Sequence, residues 1–291
     1  MTPDSPPLDL LVVGGLTIDR FPDGSSAPGG SVLHVARAAA TRDLRVGVVT
    51  AGGREPEAKT GVEELRRVAA WVECVEAEAT ATFRHRESAA GRRLWLERTG
   101  RAVGLGAGAS ARSAVDAVLF APVAGEITAD TLATPDESWS RGAILQGWLR
   151  SSGEGEVRAL PLKELDPELV ENLSGFDLLV ASREDLLAQT PEPRDQLRAV
   201  RLRFGRGPIL VVTDGPDGVW IDSPASSDLA EGLHLAVPRR VDGVPSVGSG
   251  DIFAAFMLAG EWPRSPDRRF ITERAELAMR VVAEVLEERR A

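Results

Sequence analysis

Residues 246–256 read SVGSGDIFAAF, and the interpretation of this stretch decides the fold. Gly248, Ser249 and Gly250 let the backbone turn tightly and point successive amides into one hollow. The run from Asp251 to Leu258 supplies a helix whose positive end faces that hollow. Such a hollow binds phosphate. A carboxylate in the first turn beside it can take a proton from an alcohol while the amides hold the charge developing on a transferring phosphoryl group. Taken alone, the same residues also fit a plain glycine turn followed by an aspartate that complements the helix dipole.

Working outward, residues 209–218 (ILVVTDGPDG) run a buried strand into Thr213, Gly215 and Gly218, a turn where a hydroxyl and open amides can meet a nucleotide phosphate. At the other end of the chain, residues 8–15 (LDLLVVGG) form a short apolar run closed by glycines, the pattern of a strand buried on both faces. Asp19 follows it, and Gly29 and Gly30 precede a helix over 31–40 that Ser31 can cap. An acidic side chain there can hold substrate hydroxyls. Residues 45–50 (RVGVVT) give the next buried strand and complete a βαβ unit. Further apolar runs at 117–121, 143–146, 176–181 and 208–213 alternate with helical patterns such as 195–204. The fold class is therefore α/β, with a mostly parallel central sheet and a site at the carboxyl ends of its strands. Residues 79–87 (ATATFRHRE) and 92–98 (RRLWLER) have period two instead, which predicts an antiparallel hairpin with one wet face, standing off the body as a lid. Residues 102–111 read as a flexible linker. Residues 266–290 read as a closing amphipathic helix with an apolar stripe at Leu277, Val281, Val282 and Val285.

The chain has 291 residues, 43% hydrophobic and 27% charged, enough to bury a sizeable core. Its 34 basic and 44 acidic side chains sum to −10, a charge that repels nucleic acid and anionic membranes. Cys74 is the single cysteine, so no internal disulfide is expected, and it reads as a small buried hydrophobe. Residues 1–10 carry no basic residue before an apolar run too short for a signal or a membrane span, and the expected location is the cytoplasm. Lys59 and Lys163 are the lysines, so arginine supplies nearly all the positive charge. Three scattered histidines and one cysteine offer no zinc cluster, and His85 and His234, in alternating segments, read as surface residues. No Gly-x-x-x-x-Gly-Lys-[Ser/Thr] occurs. GLGAG at 104–108 lacks the third dinucleotide glycine, and no Gly-x-Ser-x-Gly elbow is present.

In this order, these pieces resemble the ribokinase-like (PfkB) family of carbohydrate kinases over nearly the whole chain. The Gly248-x-Gly250-Asp251 loop is the most specific of them. The resemblance implies a single domain over 1–291, a three-layer α/β/α sandwich with a small β lid inserted at about 16–30 and 79–98. It also implies transfer of the γ-phosphoryl group of ATP, with Mg2+, to a hydroxyl of a small sugar, polyol or nucleoside. Asp251 would be the base, and the amides of Val247, Gly248, Ser249 and Gly250 the anion hole. Thr213, Gly215 and Gly218 would meet the nucleotide, and Asp19, Gly29, Gly30 and His34 the acceptor. Residues 120–127 (FAPVAGEI) look most like the branch that includes plant myo-inositol kinases. The chain also departs from the family pattern. Ser182 and Asp185 stand where an Asn-x-x-Glu pair usually serves metal and phosphates, and Asp185 would hold a hydrated metal through water. Pro245, Ser246 and Val247 stand where Asp-Thr is usual, with Asp242 nearby. His34 takes the place of a substrate-binding asparagine, which argues against the usual ribose or fructose recognition; a histidine there can donate to a hydroxyl and titrate near neutral pH. Exposed lid residues, Phe83 and Trp95 among them, suggest a homodimer in which two lids shield each other. The altered positions also admit a catalytically impaired protein that binds nucleotide or polyol as a sensor, and an oligomerising scaffold without a ligand.

Overall fold

The structure, a computed structural model, describes residues 7–88, 91–106, 114–132, 138–151, 153–223, 232–263 and 265–290. The first strand, β1 (Leu10–Gly14), is buried along its whole length, and so is β4 (Val46–Gly52). Their continuous apolar sequence is what a parallel strand covered on both faces requires. Between them lie β2 (Thr17–Arg20), β3 (Ser26–Gly29) and α1 (Ser31–Ala40). The chain continues through α2 (Pro56–Val68), β5 (Trp71–Glu76), β6 (Ala81–Ser88), β7 (Gly91–Arg98), β8 (Ala117–Ala121), β9 (Ser140–Ile144) and β10 (Gly155–Glu156). It ends with α3 (Pro167–Ser174), β11 (Leu178–Ser182), α4 (Pro193–Phe204), β12 (Ile209–Thr213), β13 (Val219–Asp222), β14 (Leu233–Leu235), α5 (Ser249–Leu258) and α6 (Arg268–Glu288).

Among the described residues the main sheet has the order β14-β13-β12-β11-β9-β8-β1-β4-β5. It is parallel from β5 to β12, and β13 and β14 close it antiparallel. Period two splits β1 between two cores. Leu10 and Val12 face α1, α5 and α6 with Val32, Ile252 and Ile271, whereas Leu11 and Val13 face α3 and α4 with Leu173, Leu197 and Phe204. Helices on both faces make this the expected α/β/α sandwich. Helix α5 is apolar on every side, from Ile252 to Leu258, because it is wedged between the sheet, α1 and α6.

The second sheet has the order β10-β7-β6-β2-β3, which joins the loop after β1 to the expected hairpin and adds a two-residue strand the sequence does not announce. Four details differ from expectation. Helix α1 starts from Gly30, which has no side chain to cap it, and Ser31, expected as the cap, is its first helical residue. Phe83 is buried at 5% exposure against Leu96, Val123 and Ala124, and Trp95 is half-buried with the Arg86 guanidinium 4.7 Å from its ring centre, so the apolar lid surface that suggested a dimer is largely internal. The face of α6 that is buried runs through Ile271, Ala275, Ala278, Val281 and Val285, while Leu277 points outward at 39% exposure. Cys74 is half-buried rather than buried, and burial still pushes its thiol pKa up. The linker read at 102–111 lies partly outside the described residues. No described helix is long and apolar enough to cross a membrane.

The junction of lid and sandwich is tight at Gly30. Its φ of 97° is open to glycine alone, and a Cβ there would fall on the Gly15 carbonyl oxygen. Gly30→Ala is therefore expected to cost about 2 kcal/mol or more of stability. Gly153→Ala, at an open site without positive φ, should be near neutral. Urea denaturation of both variants measures the difference.

Candidate active site

The carboxyl ends of β1, β8, β11 and β12 and the start of α5 surround an open cleft of about 980 Å³, partly roofed by the lid. Its walls gather Asp19, Gly30, His34, Ser182, Asp185, Thr213, Gly215, Gly218 and residues 248–251. Residues separated by more than two hundred positions in the chain thus meet in one cleft. Gly29 lines an adjoining pocket of about 550 Å³ that shares Asp19, His34 and His85 with the cleft.

At the floor, Gly248 takes a left-handed conformation (φ 82°) and starts α5 without a side-chain cap. Both the Ser249 amide (3.0 Å) and its hydroxyl donate to the Ser246 carbonyl, so Ser249 is turned inward and does not offer the amide expected of it. Among the described residues the amides of Val247, Gly248, Gly250 and Asp251 have no acceptor; the first three are amides expected to meet an anion, and the last two open from the first turn of α5. Asp251 is 8% exposed. Burial raises its pKa to about 6, against a hydrogen bond from the Ser31 hydroxyl and the Arg150 charge, which lower it, and the Asp185 charge, which raises it.

Asp185 is almost fully buried, and both of its oxygens are engaged. Oδ1 accepts from Arg150 Nη2 (3.0 Å) and Nε (3.2 Å), and Oδ2 accepts from the Ser182 hydroxyl (2.6 Å). The residues at this position therefore do not fit a metal held by the protein, and among the described residues no group of three or more His, Cys, Asp or Glu is placed to hold one. Sequence reasoning does not single out Arg150. It follows β9 at a turn without a glycine motif, and a lone arginine among many carries no local signal.

On the acceptor side, Asp19 Oδ1 lies 3.2 Å from His85 Nε2, and the Phe21 ring stacks on His85 at 5.1 Å. His85 is thus a buried member of the site, not the surface residue expected, because it shares the inner face of β6 with Phe83. His234 is exposed, as expected. The His34 ring lies where a Gly248 Cβ would be, and its Nδ1 is buried without a partner. Burial, with Arg289 and Arg37 nearby, lowers its pKa to about 4, so it is a neutral imidazole at physiological pH and does not titrate there. Arg289 Nη1 donates to the carbonyls of Pro245 (3.2 Å) and Val247 (2.8 Å) and pins the loop that precedes the anion site. Glu126, in the turn after β8, accepts from the amides of Val123 (2.9 Å), Ala124 (2.8 Å) and Gly15, tying the ends of β1 and β8 together. That accounts physically for the acidic residue in the 120–127 stretch.

At the far end, the Arg183 amide donates to the Thr213 carbonyl (2.8 Å), and its guanidinium pairs with Asp214 (3.0 Å) beside Gly215. Beyond them the wall turns apolar through Val219, Val237, Phe253, Met279 and Val282.

Searches of the sequence against protein-family models and against curated proteins find no match. Solved structures do match in fold. A pyrophosphate-dependent kinase of the ribokinase family, complexed with a pyrophosphate analogue and myo-inositol, is 18% identical, with 96% of this chain and 95% of that chain covered and a TM-score of 0.72. Arabidopsis thaliana ribokinase complexed with ribose and ATP is 16% identical (97% and 93% covered, TM-score 0.69). Vibrio cholerae O395 fructokinase in a form with fructose, ADP and calcium is 18% identical (97% and 94% covered, TM-score 0.69). The chain has the ribokinase fold.

Two outcomes follow from this geometry. Burying the Asp251 charge costs stability once it ionises. Its pKa is about 6 in the folded protein against an ordinary 3.8, so the cost is absent below the lower value and complete above the higher one, at about 3 kcal/mol. Asp251→Asn is expected to raise the urea midpoint at pH 8 and to raise it about half as much at pH 5. Separately, thermal stabilisation by pyrophosphate should weaken about tenfold in apparent affinity in Arg289→Ala, roughly 1.4 kcal/mol, because the loop leading to the anion site loses its staple.

Proposed function

We propose that this protein is a phosphotransferase that moves a phosphoryl group from ATP to a hydroxyl of a small polyol or sugar. The observation that carries the reading is Asp251, a buried carboxylate whose pKa is raised to about 6, beside the two open amides at the start of α5. A carboxylate ionised at neutral pH yet close to protonation is suited to accept the hydroxyl proton, and the amides face the charge that develops on phosphorus. An acceptor bound between Asp19, His34 and Asp251 would lie under the partial roof of the lid, which would limit competing water.

The acceptor groups favour several hydroxyls. Asp19 accepts hydrogen bonds, and the neutral His34 ring lines the same cleft without adding a charge. Among structural neighbours, the one complexed with myo-inositol fits this polyol preference. Nucleosides are a further acceptor class to assay. For the donor, the apolar wall of Val219, Val237, Phe253, Met279 and Val282 past the Thr213–Gly218 turn gives a nucleotide base a place to rest, which pyrophosphate does not need. Mg2+ enters this reading only as the counter-ion that travels with the donor. The reading fits a cytoplasmic enzyme, and a homodimer through the lid edges would be compatible with it.

The test is phosphoryl transfer to a panel of polyols, sugars and nucleosides, with ATP and pyrophosphate as alternative donors. Transfer from ATP to one acceptor class is expected, falling about 10²-fold or more in Asp251→Asn with little change in ATP binding. Rate against pH should fall on the acid side with a midpoint near 6, where Asp251 protonates. Nucleotide binding with no turnover on any acceptor would instead support a sensor, and transfer from pyrophosphate alone would overturn the choice of donor.

A further inference from the structure

In the reading above, the transferring phosphoryl group needs a positive charge fixed beside Asp251. The residue at the metal-bridging position, Asp185, is committed to Arg150 and Ser182 instead. Neither lysine of the chain lines the cleft. Of the cleft arginines, Arg93 pairs with Glu156 out in the lid, and Arg183 pairs with Asp214 at the nucleotide end. Arg150 alone is anchored to a nearly inaccessible carboxylate (2% exposed) while its own side chain stays 25% exposed, and its charge is felt at Asp251.

The donor count leaves it a free hand. Arg150 has five N–H groups, and Asp185 takes one from Nε and one from Nη2. With the Gln146 amide turned so that its oxygen faces the guanidinium, Gln146 takes one more from each Nη nitrogen. One Nη1 hydrogen remains. A buried ion pair is a poor way to gain stability, since apolar residues of similar volume often do as well. Its value here lies in holding a guanidinium in a set orientation with one edge open to the cleft.

We propose that Arg150 is a catalytic residue that hydrogen-bonds a non-bridging oxygen of the transferring phosphoryl group, supplying the fixed positive charge in place of a protein-held metal, with Asp185 and Ser182 as the positioning residues that aim it. This rests on the phosphotransferase reading. In the step, a bond forms between the acceptor oxygen and phosphorus. The bond from phosphorus to the donor's bridging oxygen breaks, and its electron pair leaves on that oxygen. The acceptor proton passes to Asp251. Arg150 makes and breaks no covalent bond.

The experiment is calorimetric titration of the full chain with pyrophosphate in EDTA, alongside turnover with the best acceptor. The variants are Arg150→Met, Arg150→Lys, and the double Arg150→Met/Asp185→Leu, which leaves no uncompensated buried charge if the single variant fails to fold. Wild type is expected to bind pyrophosphate without metal. Both Met variants should bind it at least tenfold more weakly, Lys should recover part of the loss, and added guanidinium should restore part of the turnover of the Met variants. Equal binding by wild type and the double variant would overturn the proposal and leave the phosphotransferase reading intact. So would wild-type binding that requires a divalent metal. Turnover that is absent in wild type while pyrophosphate binding still depends on Arg150 would overturn that reading and leave Arg150 as an anion contact only.

Discussion

The hydrogen bond from the Ser31 hydroxyl to the Asp251 carboxylate is the constraint on which the rest of the site depends. A carboxylate with little solvent around it needs a donor, and α1 supplies one from its first residue. Gly30 must then carry the chain into the helix at a φ that only glycine holds easily, pressed against the Gly15 carbonyl. Gly15 in turn gives its amide to Glu126. One buried charge thus fixes the relative position of α1, α5, the end of β1 and the end of β8.

Helix α5 can carry that charge because it has nowhere to go. Its residues beyond the first turn are apolar and buried on every side, so the amides at its start are held by the core and not by a flexible loop. The loop before it is held as well, by the Arg289 guanidinium bridging the Pro245 and Val247 carbonyls from the end of α6. Site rigidity therefore comes from packing and from the closing helix together, which is how a protein keeps preorganised dipoles aimed at an anion that is not yet there.

Much of this is legible in the sequence, and the parts that are not share a physical cause. Apolar runs mark β1, β8, β11 and β12 nearly to the residue, because a strand buried on both faces leaves no other pattern. Period two marks the hairpin of β6 and β7. The same period already puts Phe83 and His85 on one face. The polarity of His85 argues for an outward position, yet an aspartate on the neighbouring strand gives that polarity an internal partner. Arg150, Arg289 and Gln146 are invisible for a different reason. What each does depends on a carboxylate or carbonyls far away in the chain, and tertiary partners leave no local spacing to read. Leu277 shows the limit of helical periodicity, since a stripe can be drawn through it although α6 packs through Ala278 one residue on.

Ser182 and Asp185 act as one unit in the structure. The Ser182 hydroxyl donates to Asp185, and the other carboxylate oxygen of Asp185 takes the Arg150 guanidinium. The local charges then alternate: Asp251 negative, Arg150 positive, Asp185 negative. Burial is what raises the pKa of Asp251 to about 6; Arg150 works against it, and Asp185 adds the smallest push in the same direction as burial. A base much more acidic than this would be a poor proton acceptor, and one much less acidic would be protonated at neutral pH. The ion pair thus fixes the orientation of a cation, while burial against the core sets the basicity of the neighbouring carboxylate.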